Sequence, residues 1–505
     1  MDSKVKYYAG SFLWGAGVKI FDAIIKFVSI PLLLKYFGKE NYGLLTLAIA
    51  TNAYMQLLDM GMNTGGVKFF AQWISNKDYQ RVDRVARTNI TFYSIIGIIN
   101  TIVLIMLAIF GDRIFKISTS QFQIFKSLLY ILATFSLINW INFVFNQLLI
   151  ASEKMAFTQQ VLFVKSFVGL LLIFATIYLK LNITQYFFYS MLISALVIIP
   201  YYIFCFKLKL IKSFLPAFFW KDFSVVFKYG LAILAMGIFQ FTATQSRPLI
   251  IGMFAKNSVE MLAEYRIIEV FPIFIISIGG IFINIFLPRS SKAVQSNNHE
   301  QIKEFAYSAT LYTSILVSLL CFPFMLISKE LLTLYVGPEY SHLYIWLVIW
   351  LFSLTLFLHN SPVASLVLAT GKTKMLVISS AIACCFSIII NISLTNIYGV
   401  GSAVIGYFFY VLIQMLFYYL YFNNRVLKLD SFKIFKSFFK PTFLAIIVLA
   451  IFTFIPLNIE NSILKIFVKL SLWGLGYFFL LIITRTIDIK DLKLKFKKNK
   501  ISGGN

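Results

Sequence analysis

A chain of 505 residues that is 60% hydrophobic and 13% charged, with 55 phenylalanines and a mean hydropathy of +0.84, cannot hide its apolar surface in a soluble fold. Its formal charge of +25 sits largely in blocks between apolar runs. That distribution describes membrane topology, and nucleic acid is not expected as a partner.

Apolar runs of roughly 17–25 residues predict an all-α polytopic membrane protein of about fourteen transmembrane helices. They lie near 12–34, 42–59, 89–110, 127–149, 158–179, 185–206, 229–251, 266–287, 305–327, 343–369, 375–396, 400–422, 441–457 and 463–484. The runs are continuous where a membrane β-barrel would alternate, so a barrel is excluded. The first run is too long for a cleavable signal and reads as a permanent span.

Helix one carries Gly15, Gly17, Lys19, Asp22, Lys26 and Ser29. Lys19, Asp22 and Lys26 recur at steps of three and four, on one face that is costly against lipid. Asp22 and Lys26 are spaced as a helical ion pair, and the same face suits one wall of a water-filled lumen. Pro31 follows. Asn52 and Gln56 interrupt helix two, and Asp59 at its end either couples an ion or caps the turn Gly61-Met62-Asn63-Thr64-Gly65-Gly66. The basic segment 60–88 is expected to be a loop. Lys165 in helix five lines the lumen or snorkels to the interface.

Helix seven is polar: Gln240, Thr242, Thr244, Gln245 and Ser246 precede Arg247 and Pro248. A cation at bilayer depth is expected on a protein-lined path, meeting an anionic or polyhydroxylated ligand, or in a pair with Glu269 of helix eight. Pro248 interrupts the hydrogen-bond ladder and frees carbonyl oxygens for a ligand, an ion or a hinge; it also reads as a plain kink. Glu269, three residues before Pro272, is the leading acidic candidate for ion coupling, with Asp22 and Asp59 as the others.

Other features carry less. Gly371-Lys372-Thr373 has no glycine-rich run before it and reads as a tight turn. Cys205, Cys321, Cys384 and Cys385 are expected as buried free thiols, and His299, His342 and His359 are too scattered for a metal. The sequons at Asn182 and Asn391 are expected to be unused. No hydrolytic constellation and no nucleotide domain emerges, so no enzyme and no cofactor is expected.

Alternate loops differ sharply in basic residues. By the positive-inside rule one side holds about 30 lysines and arginines against about 11 on the other, which places both termini in the cytoplasm. The tail Lys490, Lys493, Lys495, Lys497, Lys498 and Lys500 is expected to meet anionic phospholipids. A shift of 217 residues aligns Pro31-Leu32 with Pro248-Leu249, Phe37 with Phe254 and Lys39 with Lys256. Six spans precede each of the basic loops 207–228 and 423–440, so a parallel repeat is expected: 1–216 and 217–424 as two six-helix bundles, with 425–500 adding two helices and a basic tail.

Three stretches bear a family likeness: Gly38-Lys39-Glu40-Asn41-Tyr42-Gly43-Leu44; Leu57-Leu58-Asp59-Met60-Gly61-Met62 with Val67-Lys68-Phe69-Phe70; and Leu368-Ala369-Thr370-Gly371-Lys372-Thr373-Lys374. With the six-plus-six-plus-two pattern, the chain resembles the polysaccharide repeat-unit flippases of the multidrug/oligosaccharidyl-lipid/polysaccharide exporter superfamily. The resemblance implies a V-shaped pair of six-helix bundles around a cationic cavity. It also implies alternating-access transport of undecaprenyl-diphosphate-linked O-antigen or capsule repeat units across a bacterial cytoplasmic membrane, from the cytoplasmic to the periplasmic leaflet. On that reading Arg247, Lys19, Lys26 and Lys165 meet diphosphate or acidic sugars, and Gln240, Gln245 and Asn284 meet hydroxyls. Pro31, Pro248 and Pro272 permit bending, and protons or sodium drive the cycle. A polysaccharide polymerase and a chain-length regulator are the expected protein partners. Related exporters of peptidoglycan lipid precursor, teichuronic-type glycan or drugs, and a multi-span polymerase, are the alternatives.

Overall fold

The computed structural model describes residues 2–59, 61–283, 286–295, 298–372, 374–455, 459 and 461–486. Among them every regular element is helical and no strand occurs. A backbone in hydrocarbon must satisfy its own polar groups, and a helix does so within each segment. The helices are α1 (Asp2–Met55), α2 (Met62–Ser75), α3 (Tyr79–Phe110), α4 (Thr119–Ala151), α5 (Met155–Tyr178), α6 (Ile183–Leu196), α7 (Ile198–Lys207), α8 (Trp220–Phe254) and α9 (Ser258–Ile283). After these come α10 (Phe286–Gln295), α11 (His299–Leu326), α12 (Ser328–Val336), α13 (Tyr344–Leu358), α14 (Ser361–Ala369), α15 (Lys374–Tyr398), α16 (Val400–Phe417), α17 (Ser431–Phe454) and α18 (Ser462–Ile483).

Among the described residues, ten helical segments are long and apolar enough to cross a membrane, or eleven if the two arms of a bent α8 form one span. The expected fourteen is not reached on that measure. The remaining expected spans, 12–34, 42–59 and 266–287, fall on α1 and α9. Within 12–34, α1 bears Lys19, Asp22 and Lys26, whereas in 266–287 the charges of α9 are Arg266 and Glu269 at its start and the segment after them is apolar.

Two expected loops are partly helical. In 60–88, Met62, Gly65, Gly66, Phe70 and Trp73 bury one stripe of α2, and α3 begins at Tyr79. Of the glycines expected in a turn, Gly61 turns with a φ of 69° just before α2, whereas Gly65 and Gly66 are packing positions on that stripe. In 423–440, a π-helical segment (Tyr418–Val426) leads into α17, whose first turn is capped by the Asp430 carboxylate accepting from Phe432 N at 2.9 Å.

The motif after the first expected span has a structural explanation. Helix α1 continues through it but breaks at Gly38, whose φ of 79° is a left-handed value that glycine adopts without strain. Lys39 then reaches Glu264 at 2.8 Å and Glu260 at 3.5 Å on α9. A Cβ at Gly43 would run into the Val259 carbonyl oxygen, so the α1 and α9 backbones approach closely there.

The chain divides into two compact units. One comprises Met1–Ile278 with Lys374–Tyr410, the other Gly279–Thr373 with Val411–Asn505. The first unit's core holds Phe70 and Trp73 of α2, Tyr93 of α3, Trp140 and Phe145 of α4, and Tyr201 of α7. In the second, α11 packs against α13 and α17, and Trp473 of α18 stacks on Phe322 with ring centroids 6.4 Å apart. Cys205, Cys321 and Cys384 are buried free thiols; Cys385, expected to be buried, is exposed. The tail lysines from Lys490 onward and Asn284 lie outside the described residues.

Candidate functional site

The first unit contains a polar interior. Asp22 and Lys26 on α1 form an ion pair at 2.8 Å, and Ser166 of α5 donates to Asp22 Oδ1 at 3.1 Å. Lys165 immediately precedes Ser166 on α5, and its Nζ donates to Ser194 Oγ of α6 at 3.0 Å. Asp22, Lys26, Lys165 and Ser166 line a cavity of about 530 Å³ between α1, α5 and α6, together with Ser29, Gln159 and Tyr186. Lys165 stands near the middle of a spanning helix, the position where an ionised side chain is most costly against lipid.

Lys165 and Leu162 also belong to a second cavity of about 330 Å³. Its walls are amides: Asn52 from the end of α1 and Gln56 just after it, Asn100 from α3, and Asn139, Asn142 and Asn146 from α4. A spacing of three and four along α4 turns the last three to one face. Trp140, Phe143 and Tyr201 supply the apolar surface. Gln56 and Phe143 in turn border a third cavity of about 300 Å³ that Asp59 lines.

Asp59 ends a buried polar chain. Asn89 Nδ2 donates to Gln147 Oε1 at 3.1 Å, Gln147 Nε2 donates to Tyr93 OH at 2.8 Å, and Tyr93 OH donates to Asp59 Oδ1 at 2.5 Å. The other carboxylate oxygen accepts from Asn63 N at 3.3 Å, so Asp59 also caps the start of α2.

The remaining expected residues are placed as follows. Arg247 is buried at 5% exposure on α8, its Nε donating to Ala243 O at 3.0 Å and its guanidinium lying 4.3 Å from the centre of the Tyr407 ring. It lines none of the three cavities. Glu269 takes Arg266, three residues earlier on α9, at 2.6 Å, and accepts from Tyr265 OH at 3.1 Å. Gln240 is exposed and Gln245 half-buried on α8. Lys19 lies in α1, and its side chain is outside the described ones. Pro31, Pro248 and Pro272 sit inside α1, α8 and α9, whereas the breaks occur at Gly38 in α1 and, as a 60° bend, between Ala235 and Gly237 in α8.

The structure therefore brings Asp22, Lys26 and Lys165 together. Sequence reasoning missed the amide wall and Arg266. Three asparagines at helical spacing in an apolar run were the available signal for the first. Arg266 was hidden at the edge of an expected span.

The family described as "Polysaccharide biosynthesis protein" matches residues 9–294. No curated protein matches the sequence. Among solved structures, the lipid II flippase MurJ in an inward closed conformation superposes with a TM-score of 0.73, covering 94% of this chain and 99% of its own at 16% identity. An inward-facing multidrug resistance MATE family transporter of the MOP superfamily gives 0.64, covering 82% and 99% at 16% identity. A MOP superfamily transporter from Pyrococcus furiosus gives 0.57, covering 83% and 96% at 15% identity. At these identities the likeness is one of fold, and the fold is that of these exporters.

Proposed function

The chain belongs to the polysaccharide biosynthesis protein family, and from that premise we propose that it moves undecaprenyl-diphosphate-linked oligosaccharide repeat units, of O-antigen or capsule type, from the cytoplasmic to the periplasmic leaflet. The observation that carries the proposal is the lining of the 530 Å³ cavity by Lys26 and Lys165 inside a bundle of membrane-spanning helices. A diphosphate crossing hydrocarbon needs fixed cations, and charge-assisted bonds from ammonium groups offset its desolvation. Asp22 holds Lys26 in place until a phosphate competes for it.

The same proposal gives Arg247 and Lys19 the role of further cations on the path. Gln240, Gln245 and Asn284 contact hydroxyls. Asp22, Asp59 and Glu269 are the groups through which protons or sodium couple, and Asp22 is the one that faces the basic cavity. Pro31, Pro248 and Pro272 ease the bending of alternating access between the proposed bundles 1–216 and 217–424. The protein acts as a transporter and not as an enzyme, in a bacterial cytoplasmic membrane with both termini in the cytoplasm. It works beside a polymerase and a chain-length regulator.

The test uses cells carrying Lys26→Met and Lys165→Met in the full chain. Lipid-linked repeat units should accumulate in the cytoplasmic leaflet and surface glycan should fall, with protein levels steady. Undiminished surface glycan in both variants removes these lysines from the path. Accumulation of peptidoglycan precursor instead of repeat units would reassign the cargo.

A further inference from the structure

We propose that the amide-walled cavity beside Lys165 is a binding site for an uncharged sugar ring of the lipid-linked glycan. This deepens the flippase reading and rests on it. Asn139, Asn142 and Asn146 present their side chains from one face of α4 to this cavity, each partly exposed within the bundle. Among the described residues none of the three makes a side-chain hydrogen bond, and the Asn142 Oδ1 atom is fully buried.

Their neighbour Asn100 shows the same imbalance. It is 1% exposed and lines the cavity, and its Nδ2 donates to Ser136 Oγ at 2.9 Å. Its buried Oδ1 has no hydrogen-bond partner among the described residues. A buried amide oxygen without a partner costs stability, and two at one cavity, on Asn142 and Asn100, call for something else to satisfy them. Asparagine is also a poor helix former, so propensity gives no reason for three of them on one face of a spanning helix.

The chemistry of the wall selects the ligand. Amides both donate and accept, which matches hydroxyl groups, and these also do both. Among the described residues no carboxylate lines the cavity and the Lys165 ammonium stands at its edge, so a metal cation or an ammonium ligand is disfavoured. Among the same residues one cation stands beside six side-chain amides, so the bulk of the ligand here is neutral. Trp140, Phe143 and Tyr201 offer apolar surface for the C–H face of a ring. The volume of about 330 Å³ lies in the range of small-molecule sites. Lys165, shared with the basic cavity, divides a place for phosphate from a place for sugar.

The experiment compares undecaprenyl diphosphate alone with undecaprenyl diphosphate bearing one N-acetylglucosamine, one galactose or one glucose. Binding to the purified full chain is read by native mass spectrometry. The wild-type chain should bind at least one sugar-bearing lipid about tenfold more tightly than the bare lipid, the ratio expected for two added neutral hydrogen bonds. Asn142→Leu with Asn146→Leu should abolish that preference and leave bare-lipid binding unchanged. Should this pair fold poorly, Asn142→Ser with Asn146→Ser removes the amides and keeps small polar groups, and the same loss is expected.

A preference that survives in both pairs overturns the sugar site while the flippase reading stands. Equal wild-type binding of bare and all three sugar-bearing lipids likewise overturns it, leaving a merely hydrated cavity. Failure of the wild-type chain to bind any of the four lipids defeats the flippase reading itself.

Discussion

Replacing Gly66 with Ala tests how tightly α2 is packed on α4. A Cβ at this position would overlap the Gln147 Oε1 atom and come within 2.7 Å of its Cδ. Gln147 cannot simply turn away, because it is fully buried, accepts from Asn89 at 3.1 Å and donates to Tyr93 at 2.8 Å. Overpacking costs about 1–3 kcal/mol, and displacing Gln147 strands the Asn89 amide for about as much again, so Gly66→Ala should lose roughly 2–4 kcal/mol. Gln147→Ala should lose a similar amount, roughly 2–4 kcal/mol, through its hydrogen bonds and the space it vacates. In the double variant the new methyl enters that space and the clash disappears. The loss in the double variant should therefore fall short of the sum of the two single losses by about 1–3 kcal/mol. SDS unfolding titrations of the full chain in mixed micelles give all four free energies. Additivity to within about 0.5 kcal/mol would show that the two positions do not meet, and would refute the packing described for the polar chain that ends at Asp59.

Gly38→Ala and Gly38→Asn should each cost about 1–3 kcal/mol in the same titration, since φ 79° with ψ 165° is a backbone conformation confined almost entirely to glycine and no atom lies within 4 Å of the new Cβ; no loss in either variant would point away from that conformation. Lys39→Glu should destabilise the half-exposed contact with Glu260 and Glu264 by about 1 kcal/mol, and adding Glu264→Lys should recover part of it in a double-variant cycle. Lys165→Met should slow flipping of a polyprenyl-diphosphate oligosaccharide in proteoliposomes about tenfold, while Lys165→Arg, which keeps the charge, should retain most of the rate; equal rates for the two would show that charge is not what Lys165 supplies. Burial by itself would raise the Glu330 carboxyl, but the hydrogen bond from Lys469 at 2.6 Å and the charges of Lys469 and Lys465 hold it below its ordinary value. A depressed carboxyl contributes stability above its unfolded value of about 4.3, and that contribution is lost as pH falls through the lower folded value. The apparent melting temperature should therefore fall below about pH 4, and Lys469→Met should flatten the fall; an unchanged profile in that variant would contradict the pairing.

Much of the architecture was legible along the chain because a bilayer enforces long apolar segments, and these leave an unmistakable one-dimensional trace. The all-helical membrane class and the position of most spans follow from it, and the family likeness adds three short motifs at 38–44, 57–70 and 368–374. The same trace was less informative where helices carry charge or run outside the apolar stretch. Thus α2 looked like a loop because its buried stripe is short and glycine-rich, and α17 begins ten residues before its expected span.

What the ionised residues meet was decided by the tertiary structure. Arg247 stands out in any hydropathy reading, yet the aromatic ring beneath its guanidinium is Tyr407, 160 positions further along the chain. Asp22 and Lys26 were visible as a pair because helical spacing alone places them together. Their meeting with Lys165 and Ser166 needed α5 to fold back on α1. The amides of α4 form a wall only because α1, the turn after it and α3 bring Asn52, Gln56 and Asn100 to face them. Local periodicity thus determines which face of a helix is polar, whereas helix packing, which joins positions far apart in the chain, determines whether that face encloses a cavity.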